Sequence, residues 1–308
     1  MDVDFFVQQL VNGVTLGSVY ALIALGYSMV YGILKLLNFA HGEVYMMGAF
    51  IGYFVLTGLG GADSPILPVA PVLILMFLAG MLGAGLLGVV IERFAYRPLR
   101  NAPRIAPLIS AIGVSFFLQA SALLLFSAQF RTYDTPQLIS PTVHRVEVGP
   151  LSISLVRILV IVSAITLMIA LTLLVNRTRL GKAMRAVSYD REAATMMGID
   201  ADKVIVATFF IGSALAGAAG VMVGLVFERV FHFMGFIAGL KGFTAAVIGG
   251  IGNIPGAMLG GLLIGLAEAF SASYISSTFQ NLIVFGILIV VMLVRPTGLL
   301  GSPVLKKV

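Results

Sequence analysis

From Phe5 to Ile33 the chain carries no charged side chain, and apolar runs of similar kind recur along its length. They cover Ile66 to Ile91, Ile105 to Ala128, Leu155 to Val175, Ile205 to Phe227, Phe231 to Gly252, Gly256 to Ser273 and Leu282 to Val294. A further run from Glu43 to about Leu59 is apolar after its first residue. About 20 apolar residues at about 1.5 Å per residue span a bilayer's hydrocarbon core. Lipid leaves no partner for unpaired backbone groups, so such runs must be helices. Charged residues make up 10% of the chain, against about 25% in a soluble domain. The expectation is an all-α, polytopic integral membrane protein, with residues 1–308 as a single transmembrane domain. Nine crossings follow if Phe231–Gly252 passes through, with the N-terminus outside and the C-terminus inside. Eight follow if a broken segment is re-entrant.

Charge placement orients the bundle. Of the 19 basic residues, 13 fall between Arg93 and Arg104, between Arg177 and Lys203, or in the tail with Arg295, Lys306 and Lys307. Basic residues mark cytoplasmic loops, so these three places lie inside. The net charge of +6 therefore records topology, not nucleic-acid binding. The loop from Gln129 to Ser154 balances Arg131 and Arg145 with Asp134 and Glu147 and falls outside. The N-terminus carries Asp2 and Asp4 and lacks the basic region of a cleavable signal peptide, so the first run is expected to stay in the mature protein.

Residues 177–203 form the longest markedly charged interval. Within it Tyr189 to Met197 lacks Gly and Pro, and Gly198 is placed to end a helix of two or three turns lying across the membrane surface.

Two apolar segments are interrupted. The first break, from Leu34 to Gly42, ends beside Glu43 and holds Asn38 and His41. Either it is a cytoplasmic turn with Glu43 near the next helix N-terminus, where a carboxylate is favoured, or it is a broken helix lining a pathway. The second, GGIGNIPGA, holds Gly252, Asn253, Pro255 and Gly256. Paired breaks in two halves point to a pathway at a repeat interface, while the alternative is that the glycines only permit close packing. Lys241 and Glu268 both lie in apolar runs, where mutual pairing is cheaper than two separate buried charges, though Lys241 could also snorkel. With three histidines, no H-E-x-x-H and no Cys, no metal site is expected; no P-loop pattern is present either.

Several stretches carry a resemblance: LNFAHGEVYMMGAF (37–50), IERFAYRPLR (91–100), LISAIGVSFFLQ (108–119), FTAAVIGGIGNIPGAMLGG (243–261) and RPTGLLG (295–301). Together they resemble the LivH/BraD-type permease of bacterial branched-chain amino-acid ABC importers. Glu192-Ala193-Ala194 followed after three residues by Gly198 resembles such permeases' E-A-A-x-x-x-G coupling loop. The resemblance implies an ABC importer permease fold in the bacterial inner membrane and translocation of leucine, isoleucine and valine from periplasm to cytoplasm. The implied partners are a second, LivM-like permease, two cytoplasmic ABC ATPases, a periplasmic amino-acid-binding protein and the lipid bilayer. ATP and Mg would bind those ATPases, leaving this chain without cofactor or catalytic residue. Arg185, Tyr189, Asp190, Glu192, Ala193, Ala194 and Gly198 are the implied ATPase contacts. Asn38, His41, Gly42, Glu43, Gly252, Asn253, Pro255 and Gly256 are the candidate substrate pathway, and Lys241 and Glu268 an intramembrane charge pair.

Permeases for urea and short amides share many of these motifs, leaving that cargo as the alternative. A secondary transporter would need more membrane carboxylates than Glu43 and Glu268. An intramembrane enzyme built on His41 and Glu43 lacks a nucleophile and a metal set.

Overall fold

The computed structural model describes residues 3–62, 65–100, 102–103, 105–138, 145–148 and 151–301. Asp2, Arg104, Lys306 and Lys307, used in reading the sequence, and His144, one of the three histidines, lie outside the described residues. The long helices are α1 (Val3–Leu34), α2 (His41–Gly58), α3 (Val69–Ile91) and α4 (Ile105–Phe126). After a short α5 (Thr135–Leu138) come α6 (Leu155–Arg177), α7 (Arg179–Tyr189), α8 (Arg191–Met196) and α9 (Ala201–Phe227). The chain ends with α10 (Met234–Gly249), α11 (Ile254–Ser271) and α12 (Gln280–Val294).

Six helical stretches among the described residues are long and apolar enough to cross a membrane, and α10 is a shorter apolar helix. One of the six, 254–294, is a hairpin. Its ends meet, because Asn253 Nδ2 donates to the Leu300 carbonyl at 2.7 Å and Leu300 N to the Gly249 carbonyl at 2.9 Å. The reversal falls in a π turn (Ala272–Ser276) and a 3-10 turn (Ser277–Phe279). With the hairpin counted as α11 and α12 and with α2 added, nine apolar helices among the described residues stand where the sequence has nine apolar runs.

Burial sorts them. The most apolar windows of α1 and α9 are 89% and 78% buried, whereas those of α3, α4 and α6 are 33% or less. Small residues let the central helices touch. A Cβ on Gly13 or Gly17 would come within 2.9 Å of the α11 backbone at Leu266 or Leu262, and one on Gly48 would strike Gly217 of α9. In lipid, where apolar burial gives helices no preference for one another, such backbone approach supplies the dispersion contact that holds them.

The ends of the bundle differ. One carries the α7–α8 loop, Arg97, Arg100 and the α9 N-terminus. The opposite end carries two short antiparallel ladders, β1 (Arg131–Thr132) with β4 (Arg229–Val230), and β2 (Arg145–Val148) with β3 (Leu151–Ser154). Tyr133, fully buried, plugs that end by donating to the Ala49 carbonyl at 2.6 Å. These ladders are the departure from an all-helical chain; β1, β2 and β3 sit in the Gln129–Ser154 loop, whose three prolines forbid a long helix, and β4 joins them from the segment after α9.

Candidate functional site

The first break does not form a surface turn. α1 runs on to Leu34, Lys35 takes a left-handed φ of 55°, and residues 36–40 climb back into the bundle before α2 begins. The depth is fixed by contacts. His41 packs so closely on Gly26 that a Cβ there would collide with its ring, and Gly26 faces Gly212, about 16 Å along α9 from Ala201. The N-terminus of α2 therefore opens in the interior. Asn38, His41, Gly42 and Glu43 are all buried, with Asn38 2% and His41 and Glu43 1% exposed.

Each polar group here has a partial set of partners. Asn38 Oδ1 caps Ala40 N at 3.1 Å and accepts from the Tyr96 hydroxyl at 3.2 Å, while its amide nitrogen has no partner among the described residues. The His41 ring meets Tyr27 edge-on at 4.7 Å, and its Nε2 is likewise unpartnered. Glu43 Oε1 accepts from Gln119 Nε2 at 2.7 Å and Ser115 Oγ at 3.3 Å, both on α4; Oε2 has no partner among the described residues. Unpaired buried polar atoms cost free energy and call for a functional or solvent explanation. Beside Glu43 lies a cavity of about 230 Å³, walled by Tyr27, Phe39, Ile112, Phe116, Phe236 and Leu240.

The second break is built differently. Gly250 and Gly252 adopt φ of 107° and 90°, turning α10 into α11 at the basic end. Both sides of the Asn253 amide are used: Oδ1 caps Gly256 N at 2.9 Å, and Nδ2 holds Leu300. Gly252 and Pro255 are exposed, Asn253 half-buried and Gly256 buried against Gly249. Gly252 stands beside Gly32, about 9 Å further along α1 than the Gly26 level of His41. The two breaks thus share α1 as a wall at different heights.

Lys241 Nζ lies 2.7 Å from Glu268 Oε1, and Tyr20 donates to Oε2 at 2.8 Å, with the two charged side chains 4% and 9% exposed. Both carboxylate oxygens are satisfied, so the trio ties α10, α11 and α1 together.

At the basic end the helix expected over Tyr189–Met197 is split. Asp190 is extended (φ −152°, ψ 112°) and caps α8 by accepting from Ala193 N at 3.0 Å, so Tyr189 ends α7 and α8 starts at Arg191. Gly198, at φ 84°, closes α8: Ile199 N donates to Ala194 O and Gly198 N to Thr195 O, each at 3.0 Å, a Schellman pair. Ala194 is buried; Glu192 and Ala193 face solvent, as does Arg185, which reaches the Val175 carbonyl. Tyr189, Met196 and Met197 are 94%, 88% and 83% exposed, an apolar knob of which only Tyr189 was singled out from the sequence. Asp202 Oδ2 meets Arg97 at 2.8 Å and Oδ1 meets Arg191 at 3.2 Å; Arg100 bonds both Asp202 and the fully buried Glu92. Nearby, the Lys203 backbone N–H and ammonium hold the Asp200 carboxyl below its usual range. Among the described residues no group of three or more His, Asp or Glu is placed to hold a metal.

Sequence reading missed Tyr96, whose hydroxyl also reaches the Leu37 carbonyl at 3.1 Å, and the pair Ser115 and Gln119. Polar residues four apart in an apolar helix were the available signal for that pair.

Helices of membrane-spanning length enclosing a buried polar break, with an amphipathic loop at the basic end, define a polytopic membrane protein. The model of the family described as "Branched-chain amino acid transport system / permease component" matches residues 9–293. The chain belongs to that family. It is 45% identical to the high-affinity branched-chain amino acid transport system permease protein BraD of Pseudomonas aeruginosa, covering 100% of this chain and 99% of the relative. LivH of Escherichia coli is also 45% identical, over 99% of this chain and 98% of its own. A LivH-type permease of Methanocaldococcus jannaschii is 29% identical over 91% and 88%.

Proposed function

We propose that this chain is the permease subunit of an ATP-driven importer that moves leucine, isoleucine and valine from periplasm to cytoplasm across the bacterial inner membrane. The observation that carries this reading is the 45% identity to BraD, a branched-chain amino acid permease protein, along the whole of both chains. In this reading a second permease completes the pathway, a periplasmic binding protein delivers the cargo, and two cytoplasmic ATPases bind ATP and Mg.

The α7–α8 loop is the ATPase contact. Asp190 and Gly198 fix both ends of α8, Ala193 and Ala194 keep it slim, and Tyr189, Met196 and Met197 project apolar surface that the described residues leave uncovered. Arg185 and Glu192 flank that surface. The cargo passes the first break, where Asn38, His41, Gly42 and Glu43 bring polar groups among apolar walls. Gly252, Asn253, Pro255 and Gly256 shape the cytoplasmic side as a rigid turn.

Uptake of labelled leucine by vesicles holding the complete importer tests the reading: accumulation requires ATP on the cytoplasmic side, and equal uptake without ATP contradicts it. Gly198→Val forces a β-branched residue into a left-handed φ, at a cost of about 1–2 kcal/mol. Stimulated ATP hydrolysis and uptake should fall together, and normal hydrolysis in that variant would remove α8 from the contact.

A further inference from the structure

The cavity beside Glu43 has the make-up of a recognition site. We infer that the free Oε2 of Glu43 receives the ammonium group of the passing amino acid, with Ser115 and Gln119 as positioning residues and the cavity walls taking the aliphatic side chain. This rests on the cargo reading above.

Three observations carry it. Glu43 is 1% exposed, yet only one of its two oxygens has a partner among the described residues. That oxygen is held by two donors from α4, Ser115 and Gln119, which fixes the carboxylate plane, and Glu43 lines the cavity together with Gly235, over which Oε2 lies. Gly235 has no side chain to cover it: a Cβ there would stand 2.5 Å from Oε2. The remaining wall is apolar, with Ile112, Phe116, Phe236 and Leu240, and its volume of about 230 Å³ lies below the roughly 300–1,000 Å³ of drug-sized pockets. A small ligand with one cationic and one aliphatic end fits that chemistry. Glu43 also lies in the first turn of α2, where the helix dipole favours negative charge. A single charge-assisted bond in apolar surroundings gives orientation without the many contacts that would stall release.

The test uses the purified full complex without its binding protein, titrated with leucine, with isopentylammonium (leucine lacking its carboxylate) and with 4-methylpentanoate (leucine lacking its ammonium). Glu43→Gln keeps an acceptor for Ser115 and Gln119 and removes the charge. Leucine and isopentylammonium should bind this variant about tenfold or more weakly, with 4-methylpentanoate unchanged. Ile112→Phe, which fills the cavity without touching the carboxylate, should also weaken isopentylammonium, and it serves if Glu43→Gln fails to assemble. No binding of isopentylammonium to the unmodified complex, or binding to both variants as tight as to the unmodified complex, overturns the assignment. Isopentylammonium binding that depends on Glu43, alongside a complex that does not carry leucine, would instead overturn the cargo reading alone.

Discussion

The two interruptions look alike in sequence, each an Asn near glycines between apolar runs, and the structure gives them opposite construction. In the first, the chain re-enters the bundle and leaves Asn38 Nδ2, His41 Nε2 and Glu43 Oε2 without partners among the described residues. In the second, Asn253 spends both amide ends on Gly256 and Leu300, at the basic end. The difference separates a polar site from a structural joint. Glycine content does not distinguish them; the accounting of polar atoms does.

The largest effect that sharpens this contrast concerns the arms of the second break. Lys241→Met leaves the Glu268 carboxylate buried with only Tyr20, and breaking a buried pair costs about 3–5 kcal/mol. The yield of assembled complex should collapse, with partial recovery in Lys241→Met/Glu268→Gln; unchanged yield in the single variant would mean the pair does not hold α10 to α11. Asn253→Ala comes next, losing a helix cap worth about 0.5–2 kcal/mol and the tie to Leu300. Lower thermal stability with normal uptake per assembled complex is expected, and a selective loss of uptake would place the second break in the pathway. The smallest is Tyr96→Phe, which removes one hydroxyl shared by Leu37 and Asn38, a loss of about 1 kcal/mol. Here uptake per assembled complex should fall alongside that small loss of stability, and a stability loss with normal uptake would make Tyr96 a packing residue only.

Much of the fold is legible in the sequence, because a bilayer admits few structures and each apolar run reports a helix directly. The runs from Ile105 and from Leu155 begin where the helices begin. The sequence does not reveal depth. That residues 36–40 climb inward depends on Gly26 making room for His41 from a distant position, and no local pattern records that pairing. Lys241 and Glu268 are legible as a pair because each is isolated among apolar neighbours. Glu43 hides its partners for the converse reason: Ser115 and Gln119 are unremarkable polar residues until α4 is set beside α2. The break at Asp190 was missed because helix propensity continues through it, while its carboxylate prefers the cap.

The most direct measurement is leucine uptake per assembled complex for His41→Leu and Asn253→Ala, made side by side in the same vesicles. A polar site at the first break and a joint at the second predict that His41→Leu loses uptake at normal complex yield, whereas Asn253→Ala loses yield or stability and transports normally once assembled. Equal loss of folded complex in both, or normal uptake in His41→Leu, would contradict the account.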